Sequence, residues 1–142
     1  MRILGLDFGD KSIGLAVSDK LQLTAQGLGR YQPKNKKEDR RFFKDLVAKY
    51  DIQEIIIGLP LRMNGSQGSR VEKTKDFARW LENILNLPII FWDERLTTKQ
   101  AYKILGQQKM KHKKKKSLKD QISATIILAN YLEFKRSKID AP

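Results

Sequence analysis

Three acidic side chains stand where carboxylates can do chemistry. Asp7 directly follows the apolar run Ile3-Leu4-Gly5-Leu6. Glu94, with Asp93 beside it, directly follows Ile89-Ile90-Phe91-Trp92. Asp120 stands where a last helix is expected to begin. In open α/β sheets, sites form at the carboxyl ends of parallel strands. If the first and last strands run parallel, Asp7 and Glu94 share that edge. Asp120 joins them if the final helix packs across it. Three unpaired carboxylates at one point would repel and raise one another's pKa. Bound Mg²⁺ or Mn²⁺ removes the conflict, because hard cations take oxygen ligands. Two such ions ~3.5–4 Å apart can activate a water and stabilise the leaving oxygen of a phosphodiester.

Composition narrows the alternatives. The chain has no Cys and one His, His112. That excludes disulfides, thiolate ligands and Cys nucleophiles, and it leaves little material for a His-rich zinc site or a Ser-His-Asp triad. Acid-base or metal chemistry must come mostly from carboxylates. Each candidate also has a plain structural reading. Asp7 suits a turn, Asp93 and Glu94 suit a solvated loop, and Ser117-x-x-Asp120 has the spacing of a capping box.

The net charge of +13 points to a polyanionic partner. Lys109, Lys111, Lys113, Lys114, Lys115, Lys116 and Lys119 lie in one stretch with no acid before Asp120, and these seven carry about half of that excess. A basic exterior around an acidic, metal-dependent centre suits a nuclease. With the same charge and inert acids, the chain would instead be a non-catalytic nucleic-acid-binding protein. No segment approaches the ~18 consecutive apolar residues of a membrane span. Asp7 interrupts the first apolar run before a signal peptide could develop. The expectation is a cytoplasmic protein with no membrane partner.

The elements that must position the acids follow from periodicity. Ile3–Leu6 reads as a buried strand and Ser12–Ser18 as a second, joined through Asp7-Phe8-Gly9-Asp10-Lys11 as a hairpin. A third strand is expected between Leu21 and Tyr31. Phe42, Phe43, Leu46, Val47 and Tyr50 recur at helical spacing, predicting a helix over about 38–50. Glu54–Leu59 is a β-branched run ended by Pro60, so a buried strand. Ser69 and Glu72 have capping-box spacing before a helix carrying Val71, Phe77, Trp80, Leu81, Ile84 and Leu85. Ile89–Trp92 is the fifth strand. Thr97 and Gln100 precede a helix with Ala101, Ile104 and Leu105. A mobile basic loop is expected over about 107–117, and Ser117 and Asp120 open the last helix. The order β-β-β-α-β-α-β-α-α implies an α/β fold. Its five-stranded mixed sheet would be an antiparallel meander continued by parallel crossover strands, flanked by about four helices. One domain over residues 1–142 is expected.

Four segments resemble the motifs of one family in order. Leu6-Asp7-Phe8-Gly9-Asp10-Lys11-Ser12-Ile13-Gly14-Leu15-Ala16-Val17-Ser18 resembles the first motif of the YqgF/RuvX family. These are Holliday-junction-resolvase-like proteins of the RNase H superfamily. Ile57-Gly58-Leu59-Pro60-Leu61 with Asn64-Gly65 resembles the second motif, Asp93-Glu94-Arg95-Leu96-Thr97-Thr98 the third, and Asp120-Gln121-Ile122-Ser123-Ala124 the fourth. The fourth motif commonly has an apolar residue before its Asp, where this chain has Lys119. The resemblance implies an RNase H-like fold and a carboxylate set of Asp7, Glu94 and Asp120 holding Mg²⁺ or Mn²⁺. It also implies an endonuclease that matures the 5′ end of pre-16S rRNA by phosphodiester hydrolysis. The older reading of the family is a Holliday junction resolvase-like DNA nuclease. Structured precursor rRNA or branched DNA would be the partner, with ribosomal precursor particles as the setting and a monomer or dimer as the active form. Lys11 and Arg95 are expected at phosphates near the scissile bond. Lys111, Lys113, Lys114, Lys115 and Lys116 would supply salt-dependent affinity.

Overall fold

A computed structural model describes residues 1–60, 68–93 and 112–140, of which 112–121 and 138–140 are described as backbone alone. Five strands form one sheet: β1 (Arg2–Phe8), β2 (Ile13–Ser18), β3 (Ala25–Tyr31), β4 (Ile52–Leu59) and β5 (Ile89–Asp93). Their spatial order is β3-β2-β1-β4-β5. β1 pairs antiparallel with β2, and β2 with β3, whereas β1–β4 and β4–β5 are parallel. This is the expected mixed sheet. Three helices complete the described residues: α1 (Lys36–Tyr50), α2 (Ser69–Leu85) and α3 (His112–Asp140). The helix expected after Thr97 lies outside the described residues.

Strand alternation divides the core between two faces. Leu4, Leu6, Leu15, Val17, Ile55 and Ile57 point to α1 and α2, where Phe43, Ala78 and Leu81 meet them. Ile3, Ala16 and Ile56 point the other way, to Ala124, Ile127, Leu128, Tyr131 and Leu132 of α3. Covered on both faces, β1 and β4 have no polar face, which is why their sequences read as continuous apolar runs. On the α3 side the approach is close. A Cβ added at Gly5 would lie 2.9 Å from Leu128 Cβ and 3.2 Å from the Ala124 carbonyl oxygen. Glycine at position 5 is therefore the condition for seating α3 directly on β1.

Local chemistry shifts several expected boundaries. β3 begins at Ala25 rather than near Leu21. The Asp19 carboxylate accepts from the amides of Leu23 (2.7 Å) and Thr24 (2.9 Å), closing a turn with Gln22 at φ 58°. Those bonds also hold the Asp19 pKa below its usual value. α1 begins two residues early because Asn35 is its N-cap, its side chain accepting from the Glu38 amide at 2.9 Å. The capping box expected at Ser69–Glu72 is not formed. Gly68 is the N-cap of α2, and its carbonyl accepts from Val71 and Glu72. The second box, Ser117–Asp120, fails more completely. α3 is already helical from His112, so Ser117 and Asp120 lie inside it, and the part of the expected basic loop from 112 to 117 is helix. Lysine is a good helix former, and like-charge pairs one turn apart cost only a few tenths of a kcal/mol. Capping spacing does not stop such a helix. The rest of that expected loop, 107–111, lies outside the described residues.

Candidate active site

Because β1, β4 and β5 are parallel, their carboxyl ends share one edge of the sheet. Asp7 lies on β1 at that edge, paired with Gly14 of β2. It has the parity of Ile3 and Gly5, so it belongs to the face that α3 covers. It is half-buried. Glycine at position 9 tightens the turn that follows. The Gly9 amide donates to the Ser12 carbonyl (3.0 Å), and a Cβ at position 9 would lie 2.8 Å from that oxygen. Lys11 is exposed on this turn.

The direction of α3 is fixed at two points. Ala124 and Leu128 lie over Gly5. Further along, the Tyr131 hydroxyl donates to Glu54 Oε1 at 2.7 Å, and Lys135 Nζ lies 3.8 Å from the same atom. Glu54 is the register partner of Ile3. α3 thus runs antiparallel to β1, with its amino-terminal part toward the edge that carries Asp7. The spacing matches. From Gly5 to Asp7 is two strand residues, ~6.6 Å. From Ala124 back to Asp120 is four helical residues, ~6 Å. Followed back along the helix, the backbone from Ala124 to Asp120 heads toward the edge that carries Asp7.

β4 separates β1 from β5. Leu6 pairs with Ile57, and Gly58 pairs with Trp92, so the next row across the sheet is Asp7, Gly58, Trp92. Two strand spacings put β1 and β5 ~10 Å apart. Gly58 is buried and has no side chain, so nothing projects from β4 between them. Glu94 follows β5 directly; it and Arg95 and Lys111 lie outside the described residues. Lys113, Lys114, Lys115 and Lys116 fall in the first turns of α3. Among the described residues no three His, Asp or Glu side chains cluster tightly enough to hold a metal ion, and Asp7 is the member of the expected trio whose side chain is described. The donor set fits a hard divalent cation in kind, being carboxylate oxygens beside a row left empty by Gly58.

A second basic segment accompanies the lysine tract. Residues 30–49 carry eight basic and three acidic side chains. Most of them lie on α1 and its approach, on the sheet face opposite α3. The charge count holds the signal for this segment, but the lysine tract, with no acids at all, masks it.

This architecture is that of the RNase H-like resolvases. The RuvC structure of T. thermophilus with a Holliday junction substrate superposes with a TM-score of 0.56, covering 96% of each chain at 14% identity. The fowlpox virus resolvase in complex with Holliday junction DNA gives 0.59, covering 95% of this chain and 99% of that one at 17% identity. The RuvX family model, described as Holliday junction resolvase, matches residues 1–134. A protein of Halothermothrix orenii is 46% identical over 134 residues, covering 94% of this chain and 96% of its own, and is named "Putative pre-16S rRNA nuclease". One of Clostridium acetobutylicum bears the same name, at 45% identity over 132 residues, 93% of this chain and 98% of its own. The chain belongs to the RuvX family. No helix among the described residues is long and apolar enough to cross a membrane.

Proposed function

We propose that this chain is a metal-dependent endonuclease that hydrolyses a phosphodiester at the 5′ end of precursor 16S rRNA in the cytoplasm, on ribosomal precursor particles, as a monomer or dimer. Membership of a family of nucleases makes it a hydrolase of nucleic-acid ester bonds. One observation carries the site. α3, seated on Gly5 by Ala124 and Leu128, runs with its amino-terminal part toward the carboxyl edge that carries Asp7, which supports Asp120 as a member of the set. Glu94 is the residue that directly follows β5 in the sequence, and β5 ends at the same edge.

Asp7, Glu94 and Asp120 would hold the divalent ions, Mg²⁺ or Mn²⁺ and two in number. Such ions, when bound, activate water as nucleophile and stabilise the departing 3′ oxygen. The protein's own groups do the rest. Asp7, paired with Gly14 of β2 at the end of a strand held from both sides, gives the set a rigid member. Lys11, on the tight turn after it, meets a neighbouring phosphate, as Arg95 does after β5. Lys111 and Lys113 to Lys116 hold the strand by charge, with affinity that falls as salt rises. One domain over 1–142 carries all of these groups.

The names of the relatives favour precursor rRNA over a four-way DNA junction. Side-by-side cleavage of the two substrates with Mn²⁺ tests this reading, using wild type and Asp7→Asn. Cleavage of precursor rRNA should fall at least about a hundredfold in Asp7→Asn, since even groups behind metal ligands are worth ~10–100-fold. Cleavage that survives in Asp7→Asn, or that is indifferent to EDTA, contradicts it.

A further inference from the structure

On the face of the sheet away from Asp7, a cleft of about 470 Å³ opens at the same carboxyl edge. Its walls are Phe8 from β1, Phe43 from α1, and Phe77 and Trp80 from α2. Phe8 stacks on Phe77 with centroids 4.6 Å apart, and Phe43 meets Phe77 edge-on at 5.8 Å. Phe43 is fully buried, whereas Phe8, Phe77 and Trp80 are half-buried and line the opening. A cluster built only for stability would close over its rings. This one leaves a space in the size range of small-ligand sites, ~300–1,000 Å³.

The rim decides what can enter. It carries Lys36 and Lys73, but also Asp10, Asp39 and Asp76. Asp39 already accepts from the Tyr31 hydroxyl and the Lys34 amide, and Asp76 pairs with Arg79. With three acids against two bases, the mouth does not favour a phosphate inside. It suits a neutral planar ring that stacks on the aromatics and offers N–H donors to the carboxylates. The flanking backbone would stay outside, on Lys36, Lys73 and the exposed Lys37, Arg40, Arg41 and Lys44 of α1. Phe8 and Asp7 are consecutive residues, ~3.8 Å apart at Cα, facing opposite sides of the sheet.

We propose that this cleft takes one unpaired nucleobase of the substrate strand, so that the strand crosses the carboxyl edge with that base on the α1–α2 side and the reacting phosphate on the α3 side. This rests on the nuclease reading for its substrate, and it adds that the substrate is single-stranded or unstacked next to the cut. A base within a duplex cannot reach the rings.

The test is equilibrium binding of a single-stranded RNA oligonucleotide carrying 2-aminopurine at one position, in EDTA so that cleavage cannot intervene. Stacking on the cleft should quench the probe. Trp80→Leu should abolish the quench and weaken binding about thirtyfold, the middle of the range for loss of one base–aromatic stack. Lys36→Ala with Lys73→Ala, both exposed and harmless to folding, should reduce the slope of log affinity against log salt by about 1.4, as two phosphate contacts on a single strand would. Those lysine variants carry the test if Trp80→Leu fails to fold. Unchanged quench and affinity in Trp80→Leu, an unchanged salt slope in the lysine pair, or equal Trp80-dependent binding of a fully paired duplex overturns the proposal. If Asp7→Asn abolishes cleavage while Trp80→Leu leaves binding and quench untouched, the cleft fails and the nuclease reading stands. If quenching depends on Trp80 but cleavage does not depend on Asp7, the cleft stands and the nuclease reading fails.

Discussion

On one face of the sheet, α1 and α2 pack large side chains, with Phe43 and Leu81 set among Leu4, Leu6, Ile55 and Ile57. On the other, α3 lays Ala124 and Leu128 onto Gly5. The first face holds its helices at a distance filled by rings and branched chains. The second also carries large side chains, Ile3, Ile56, Ile127, Tyr131 and Leu132, but at Gly5 nothing stands between strand and helix, so the helix position there is dictated by backbone contact. Large packing gives tolerance, since a ring can shift within a cluster. Close packing gives registration, because a shift of one methyl group moves the whole helix. The proposed carboxylate set belongs to the registered face, where Asp120 must arrive level with Asp7. The aromatic cleft belongs to the tolerant face, where an incoming ring can be accommodated.

Truncation separates the two faces. Leu81→Ala removes a fully buried side chain on the α1–α2 face and should cost ~2–5 kcal/mol in denaturant unfolding. Its activity per folded molecule should hardly change. Gly5→Ala should cost less, ~1–3 kcal/mol, by overpacking against Leu128. Yet activity per folded molecule should fall in Gly5→Ala, because α3 must lift and carry Asp120 with it. If Gly5→Ala keeps full specific activity, registration is not what α3 contributes.

Tyr131→Phe sharpens the same comparison at the far end of α3. It removes the hydroxyl that donates to Glu54, a carboxylate 17% exposed that Lys135 also faces. The expected loss is ~1 kcal/mol, read from the unfolding midpoint, with cleavage unchanged. A large loss of activity would show that the anchor at Glu54, rather than the contact at Gly5, sets the register.

The smallest effect is alkaline. The Tyr31 hydroxyl donates to Asp39 at 2.6 Å, and burial together with that carboxylate pushes its pKa up to about 12. The unfolded value is ~10. A group raised on folding contributes fully below the unfolded pKa and loses its contribution as pH rises through the folded one. Stability should therefore decline between about pH 10 and 12. Tyr131 is raised in the same sense, by burial and Glu54, and adds to the decline. Unfolding curves across that window should be flatter for Tyr31→Phe; an identical slope would mean that Tyr31 plays no part in the decline.

The fold is legible from the strands inward. Apolar runs at Ile3–Leu6 and Glu54–Leu59 mark strands covered on both faces, and the alternation of short turns with helices marks where the meander gives way to parallel strands. The edge position of Asp7 is legible for the same reason. Helix starts are less so, because capping spacing is a local signal. At Ser69 a neighbouring Gly68 carbonyl takes the role, and at Ser117 a run of helix-forming lysines carries the helix through. The start of β3 is hidden because one side chain, Asp19, rebuilds the turn before it. The cleft cannot be read from sequence at all. Phe8, Phe43 and the pair Phe77 and Trp80 come from three distant segments, and only the strand order brings them together.

Manganese titration of wild type and of the single variants Asp7→Asn, Glu94→Gln and Asp120→Asn tests the central claim most directly, with free Mn²⁺ read by electron paramagnetic resonance. Each substitution should weaken Mn²⁺ binding at least about tenfold, since each removes a charged oxygen ligand from one shared set. Wild-type affinity in Asp120→Asn would contradict the claim, leaving Asp120 an ordinary residue of α3 and the sheet edge without its third carboxylate.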